Sequence, residues 1–294
     1  MSALMDLSRD LARAVERAAR AIVAVKGRPD LASTGVHWRP GAIVTADHTL
    51  ATEDDLAVVT PDGRTIPARL LGRDAVTDLA VLRADLDLPV ADPGDAPGLQ
   101  AGHVVLAVGH GPRVSWGVVS AVGGGARGHE GDLVRLDLTL YPGFSGGPLV
   151  DAEGRVVGIN TSGLSRALRC AITAATVGRV VDEILARGRV SRGFLGVGLQ
   201  PVRLPETARR VVPAAGEVGL MVVSVQPDGP AARAGLHLGD VLVALDGRPV
   251  QEPGDAQATI AARPVGATIV AGLLRGGAAA EVRITVGERP AGRP

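Results

Sequence analysis

The sequence contains one cysteine, Cys170, and one lysine, Lys26, in 294 residues. A single cysteine excludes an intrachain disulfide and any cluster of thiolate metal ligands, and it suits a reducing compartment. Neither sign of charge is in excess, with 31 basic residues against 31 acidic ones. That balance excludes a general nucleic-acid or anionic-membrane binder, which would carry a basic surplus. Aromatics make up only 2% of the chain, so Trp38 and Trp116 read as packing residues, not a stacking platform. No apolar run approaches the roughly 20 residues of a membrane span. The opening stretch "MSALMDLSRDLARAVERAARAIVAV" is interrupted by Asp6, Arg9, Asp10, Arg13, Glu16, Arg17 and Arg20. It has no unbroken apolar core of the kind a signal peptide needs. On this basis the location expected is cytoplasmic, or extracytoplasmic if the sequence is a trimmed form.

What is there is abundant valine, isoleucine and leucine in short runs. Leu4, Leu7, Leu11, Val15 and Ile22 recur at helical spacing and predict an amphipathic helix over residues 1–20, packed on the body or on a second subunit. From 21 to 175 the runs are strand-like and punctuated by Gly, Pro and Asp, as in "GAIVTA", "HVVLAVG" and "RVVGIN". Many short strands at close spacing predict antiparallel β-barrels. "ADPGDAPGLQAG", residues 91–102, separates two groups of them. Residues 176–190 read as a linking helix with Val177, Val180, Val181, Ile184 and Leu185 on one face. A new β/α pattern then runs from 191 to 288, with a hairpin turning at Gly276-Gly277. Residues 289–294 read as a disordered tail, and residues 123–132, "GGGARGHEGD", as a flexible loop.

"PGFSGGPLVDAEGRVVGINT", residues 142–161, sets Ser145 among glycines before an apolar hairpin. A serine nucleophile needs a base and an orienting acid. His48, in "IVTADHTL", follows a strand where an imidazole can face a cleft. Asp78, in "DAVTDLAVLRA", heads an alternating strand that can bury it beside that imidazole. Each residue alone is a weak signal, and their conjunction in the order His, Asp, Ser is specific. "GFSGG" also fits the G-x-S-x-G elbow of α/β-hydrolases, but those enzymes place the histidine after the serine. Here only His237 follows, and that esterase reading would require His237 beside Ser145. His37, His103, His110 and His129 show no metal-ligand spacing, so neither metal nor cofactor is expected.

From about residue 15 to 287 the chain resembles the HtrA serine proteases. "TADHTL" is similar to the family's histidine box, "DAVTDLAVLRA" to its aspartate box, and "LVRLDLTLYPGFSGGPLVDAEGRVVGINT" to its serine region. The resemblance implies a mostly β fold: a trypsin-like double β-barrel followed by a small α+β PDZ domain. It implies His48 as general base, Asp78 as its orienting acid and Ser145 as nucleophile. The N–H groups of Gly143 and Ser145 would form the oxyanion hole, with Gly146 and Gly147 letting a peptide pass close by. Leu140 and Gly163 would lie near the pocket for the residue before the scissile bond. No acid stands there, so a small or medium aliphatic residue is expected.

"RGFLGVGLQPV" resembles the peptide-binding loop of the family's PDZ domains. Gly193, Phe194, Leu195, Gly196 and Val197 would receive a C-terminal carboxylate and peptide, with the helix around Ala256–Ala262 as the opposite wall. The expected partners are unfolded proteins or peptides and free C-termini, with no nucleic acid. A homo-oligomer is left open, though not a trimer built by N-terminal aromatics, since none precedes Trp38. The chain departs from the family at Phe144, where HtrA proteins usually carry Asn, and at Tyr141. Trypsins carry an Asp at the Phe144 position that pairs with a freed N-terminus, so no such activation is expected here. Phe144 therefore motivates a second reading, a catalytically latent peptide-binding scaffold or chaperone.

Overall fold

The computed structural model describes residues 3–29, 31–93, 98–111, 113–123, 133–164, 169–191, 193–212, 216–261 and 263–288. The predicted loop at 123–132, with His129, and the tail at 289–294 lie almost wholly outside them. The chain divides into two compact units, the first ending at Val190 and the second beginning at Ser191.

The first unit opens with helix α1 (Ala3–Ala19), followed by β1 (Ile22–Lys26), β2 (Ser33–Arg39), β3 (Ala42–Ala46), β4 (Ala57–Val59), β5 (Thr65–Pro67), β6 (Arg69–Asp74) and β7 (Leu79–Arg83). These strands form an antiparallel sheet in the order β5-β4-β1-β2-β3-β7-β6. Next come β8 (Val104–Gly109), β9 (Arg113–Val122), β10 (Leu133–Asp137), β11 (Pro148–Val150), β12 (Val156–Thr161) and β13 (Cys170–Thr173). They close into a six-stranded barrel, β10-β13-β12-β11-β8-β9, which leaves no free edge. Each sheet has its own apolar filling: Val25, Ile43, Val58 and Leu82 in the first, and Val105, Val119, Val134 and Leu149 in the second. Between them lies a shared core with Val36, Val44, Leu106 and Ile159. Strand alternation sends one set of side chains inward and the other toward this seam.

Helix α2 (Ala174–Arg187) is more than a linker. Thr173 caps it by accepting the Thr176 N–H, and Gly188 ends it with φ of 73°. Val177, Val180, Val181 and Ile184 are buried in the shared core, while Leu185 is exposed and falls outside the predicted face. Helix α1 differs from its expectation in the same way. Its buried contacts are Ala14 and Ala18, with Leu11 and Val15 beside them, and Leu4 and Leu7 stay exposed. The small alanines allow close approach, and an added Cβ on Gly154 would come within 2.7 Å of the Ala14 carbonyl.

The second unit contains β14 (Gly193–Phe194), β15 (Val197–Arg203), α3 (Glu206–Val211), β16 (Val218–Val225), α4 (Pro230–Arg233), β17 (Val241–Leu245), β18 (Arg248–Pro249), α5 (Pro253–Ala261), β19 (Thr268–Arg275), β20 (Ala278–Thr285) and β21 (Gly287–Glu288). Its main sheet runs β15-β16-β17-β19-β20, with β15 at one edge, and β14 pairs β21. Leu220, Leu245, Ile269 and Ile284 form its core. The β19–β20 turn has positive φ at both Gly276 and Gly277, as a two-residue hairpin of this twist requires. Helix α3 has no counterpart in the sequence reading, because its six residues bury none of their number and leave no apolar period.

Candidate active site

The β3–β7 register places Ala46 opposite Leu79. The residues just beyond that pair are therefore neighbours. Asp47 donates its N–H to the Asp78 carbonyl at 3.0 Å, and the His48 N–H donates to Asp78 Oδ1 at 2.8 Å. His48 Nδ1 then meets Asp78 Oδ2 at 2.7 Å. Asp78 holds φ at 57°, a left-handed value that aspartate tolerates better than most side chains. Its carboxylate is buried, whereas the His48 ring is 30% exposed, so the pair is anchored on one side and open on the other.

Thr161, at the end of β12, donates its hydroxyl to Asp78 Oδ2 and accepts the Gly163 N–H at 2.9 Å. Asp78 thus receives three donors, which fix its carboxylate in place. Gly163 stands against the same pair. A Cβ there would lie 2.5 Å from His48 Nδ1 and 2.6 Å from Asp78 Oδ2, so Gly163 covers the triad itself. Leu140 sits half-buried in the loop leading to Ser145.

Ser145 lies in the connection from β10 to β11. Its carbonyl accepts the Thr34 N–H at 3.2 Å, and the Gly146 N–H donates to the Asn160 carbonyl at 2.9 Å. Gly146 and Gly147 are needed for this docking. Side chains there would come within 2.2 Å of the Thr34 carbonyl and 2.3 Å of the Val108 carbonyl. Ser145 Oγ makes a hydrogen bond of 3.1 Å with Ser162 Oγ, which lies 3.5 Å from His48 Nε2. Among the described residues, neither the Gly143 nor the Ser145 N–H donates to a protein acceptor. The Gly143 carbonyl is held by the Thr34 hydroxyl at 2.6 Å.

Phe144 is buried in the loop's interior. Its ring meets Tyr141 edge-on at 5.6 Å and packs so closely on Gly109 that a Cβ there would approach to 2.8 Å. His37 and His237 are engaged in structural hydrogen bonds. His37 is buried in β2 and accepts the Gly41 N–H, and the His237 N–H donates to Asp240. Ser145 sits between two strands of a barrel, not between a strand and a helix, and its histidine neighbour is His48. The α/β-hydrolase reading is thereby removed. Sequence reasoning missed Thr161 and Ser162, although both directly follow the "GIN" strand that it identified.

In the second unit, Gly193 and Phe194 are strand residues paired with Glu288 and Gly287. Leu195 is buried, and its carbonyl accepts the Ala231 N–H at 2.9 Å. Gly196 turns the chain with φ of 79°, and Val197 begins the edge strand β15.

A two-barrel fold with a Ser-His-Asp cluster at its seam, joined to a second unit of this topology, defines a trypsin-like serine peptidase architecture carrying a PDZ domain. The comparisons agree. Residues 33–159 match the trypsin-like peptidase domain family and residues 193–286 the PDZ domain family. The solved HtrA-type protease AlgW with decapeptide is 32% identical, with a TM-score of 0.81, covering 96% of this chain and 99% of that one. The serine endoprotease from Yersinia pestis is 32% identical with a TM-score of 0.78, covering 95% and 98%. The chain belongs to the HtrA-type protease family. Curated relatives include probable periplasmic DegP-like serine endoproteases from Brucella suis, 37% identical over 85% of this chain, and Pseudomonas fulva, 35% identical over 86%. The chain spans about half the length of these relatives, 51% and 55%.

These names overturn the cytoplasmic location expected from the sequence, and point to an extracytoplasmic one. Charge balance and a lone buried cysteine are compatible with either side of a membrane, so they carried no information about the compartment.

Proposed function

We propose that this chain is a serine endopeptidase acting on unfolded proteins, with Ser145 as nucleophile, His48 as general base and Asp78 as its orienting acid. The observation that carries the reading is the 2.7 Å contact of His48 Nδ1 with the buried Asp78, which leaves Nε2 on the side of Ser145. Asp78 holds the tautomer with hydrogen on Nδ1, so Nε2 can take the serine proton. Attack on a peptide carbonyl forms the C–Oγ bond and an oxyanion. The Gly143 and Ser145 N–H groups would receive that charge, and each such donor is worth about 3 kcal/mol of barrier. His48 then returns the proton to the leaving amine, and water clears the acyl-enzyme. Leu140, with no acid beside it, favours an aliphatic residue before the scissile bond.

The PDZ unit would take a C-terminal peptide as an added strand on β15, with the carboxylate at the turn running from Gly193 to Val197. Helix α5, rich in alanine, would form the far wall. The latent-scaffold reading rested on Phe144, and it finds no support in a ring buried beneath the loop.

The test is hydrolysis of casein and labelling by a fluorophosphonate, wild type against Ser145→Ala. Both should vanish in the variant, and persistent hydrolysis overturns the assignment. Fluorescence anisotropy should show binding of peptides with a free C-terminus and loss of binding when that end is amidated.

A further inference from the structure

The stretch Pro142-Gly143-Phe144 has no polar side chain with which to hold its own shape. Its neighbours impose it. Thr34 Oγ1 donates to the Gly143 carbonyl at 2.6 Å and accepts the His110 N–H at 3.0 Å. Arg113, the first residue of β9, reaches across from the same side. Its Nη1 donates to the Pro142 carbonyl at 3.4 Å, and its Nε donates to the His110 carbonyl at 3.3 Å. Its Nη2 stands 3.1 Å from His110 Nε2, and its guanidinium lies 5.8 Å from the centre of the Phe144 ring.

The Pro142 carbonyl and the Gly143 N–H belong to one peptide unit, which is planar and trans. Pinning the carbonyl on one side therefore aims the N–H to the other. Were this peptide to turn over, a carbonyl oxygen would face the developing oxyanion in place of a donor. We propose that Arg113 is the positioning residue for the Gly143 oxyanion donor, gripping the Pro142 carbonyl while its guanidinium rests against Phe144. The proposal builds on the peptidase reading above. A guanidinium within about 6 Å of an aromatic face is attracted by the ring, so Phe144 supplies a surface that an amide side chain would not. Gly143 must be glycine for this approach, since a Cβ would lie 2.8 Å from Arg113 Nη2. Burial, and to a smaller degree the Arg113 charge, push the His110 imidazole below its ordinary range, which disfavours a second positive charge beside Arg113. The clamp is wholly within the first unit.

The experiment compares the full chain with Arg113→Ala and Arg113→Lys, using kcat and KM on a peptide substrate, active-site titration, affinity for a peptide boronic acid, and thermal unfolding. Expected for Arg113→Ala is a 10- to 100-fold loss of kcat per titrated site, with KM within about twofold. The boronic acid should weaken by a similar factor, and added ethylguanidinium should restore part of kcat. Arg113→Lys keeps the charge without the fork, and should fall well short of wild type. Unchanged kcat per titrated site in both variants, or a loss confined to KM or to the titrated fraction, overturns the role of Arg113. A wild-type chain that neither hydrolyses peptide nor titrates overturns the peptidase reading itself.

Discussion

Ser145 Oγ is hydrogen-bonded to Ser162 Oγ at 3.1 Å, so the hydroxyl of one serine occupies the other before any substrate arrives. Ser162 in turn lies 3.5 Å from His48 Nε2, and the contact between nucleophile and base runs through it. Direct transfer from Ser145 to His48 requires that bond to break. Its net worth is about 1 kcal/mol, so Ser162→Ala should speed fluorophosphonate labelling by up to about fivefold. Rapid-quench labelling measures this, and a slowed rate would count against the arrangement.

Gly163→Ala should do the opposite. The new Cβ would meet His48 Nδ1 and Asp78 Oδ2 at 2.5 and 2.6 Å, and one of the three groups must move. A shift on the order of 1 Å at reacting groups costs roughly 100-fold. Casein hydrolysis should fall by about that factor while the circular dichroism spectrum stays unchanged.

Asp78→Asn should preserve the fold and remove activity. An amide in that position favours the wrong imidazole tautomer, at a cost of about 10⁴-fold in kcat. Thr161→Val should be milder, since it removes one donor to Asp78 and leaves the two from His48.

Cys170 lies on β13 under the same site. Burial, and then the nearby Asp78 carboxylate, push its thiol up to about 11. Thiolate is the reactive form, so the folded chain at pH 8 should resist maleimide and the chain unfolded in guanidinium should react fully. Mass spectrometry separates the two cases.

The PDZ unit should weaken in acid. Asp240 is held below the usual carboxylate range, first by hydrogen bonds from Arg275 and then by the His237 N–H. A depressed value means the folded state binds the proton less tightly than the unfolded one. The stabilisation is therefore complete above the ordinary aspartate range, near pH 4, and is lost as pH falls through the folded value. Thermal midpoints from pH 6 to 2 should drop more steeply for wild type than for Asp240→Asn. That variant should cost about 1–2 kcal/mol at neutral pH, given the solvent exposure of Arg275.

His48, Asp78 and Ser145 were legible because each sits beside a strong local signal: a strand end, a strand head and a glycine-rich turn. The partners were not. Thr161 and Ser162 follow an apolar strand with no pattern of their own, and Arg113 is one arginine among many. Their roles arise only when β12 and β9 are laid against the loop that carries Ser145. The burial of α1 was misread for a related reason. Leucine spacing marked an apolar face, but the helix packs through Ala14 and Ala18 because only small side chains fit against Gly154.

The residue pattern alone determined the succession of short strands, the hairpin at Gly276-Gly277, the helix before the second unit and the order of the three reactive groups. All of these depend on periodicity and turn chemistry within a few residues. The tertiary structure decided that Gly163 lies on the triad, that Gly146 and Gly147 serve packing, that Ser162 stands between nucleophile and base, and that Arg113 holds the Pro142 carbonyl. Those outcomes are set by distances between segments far apart in the chain, which strand register and barrel closure fix and local sequence does not encode.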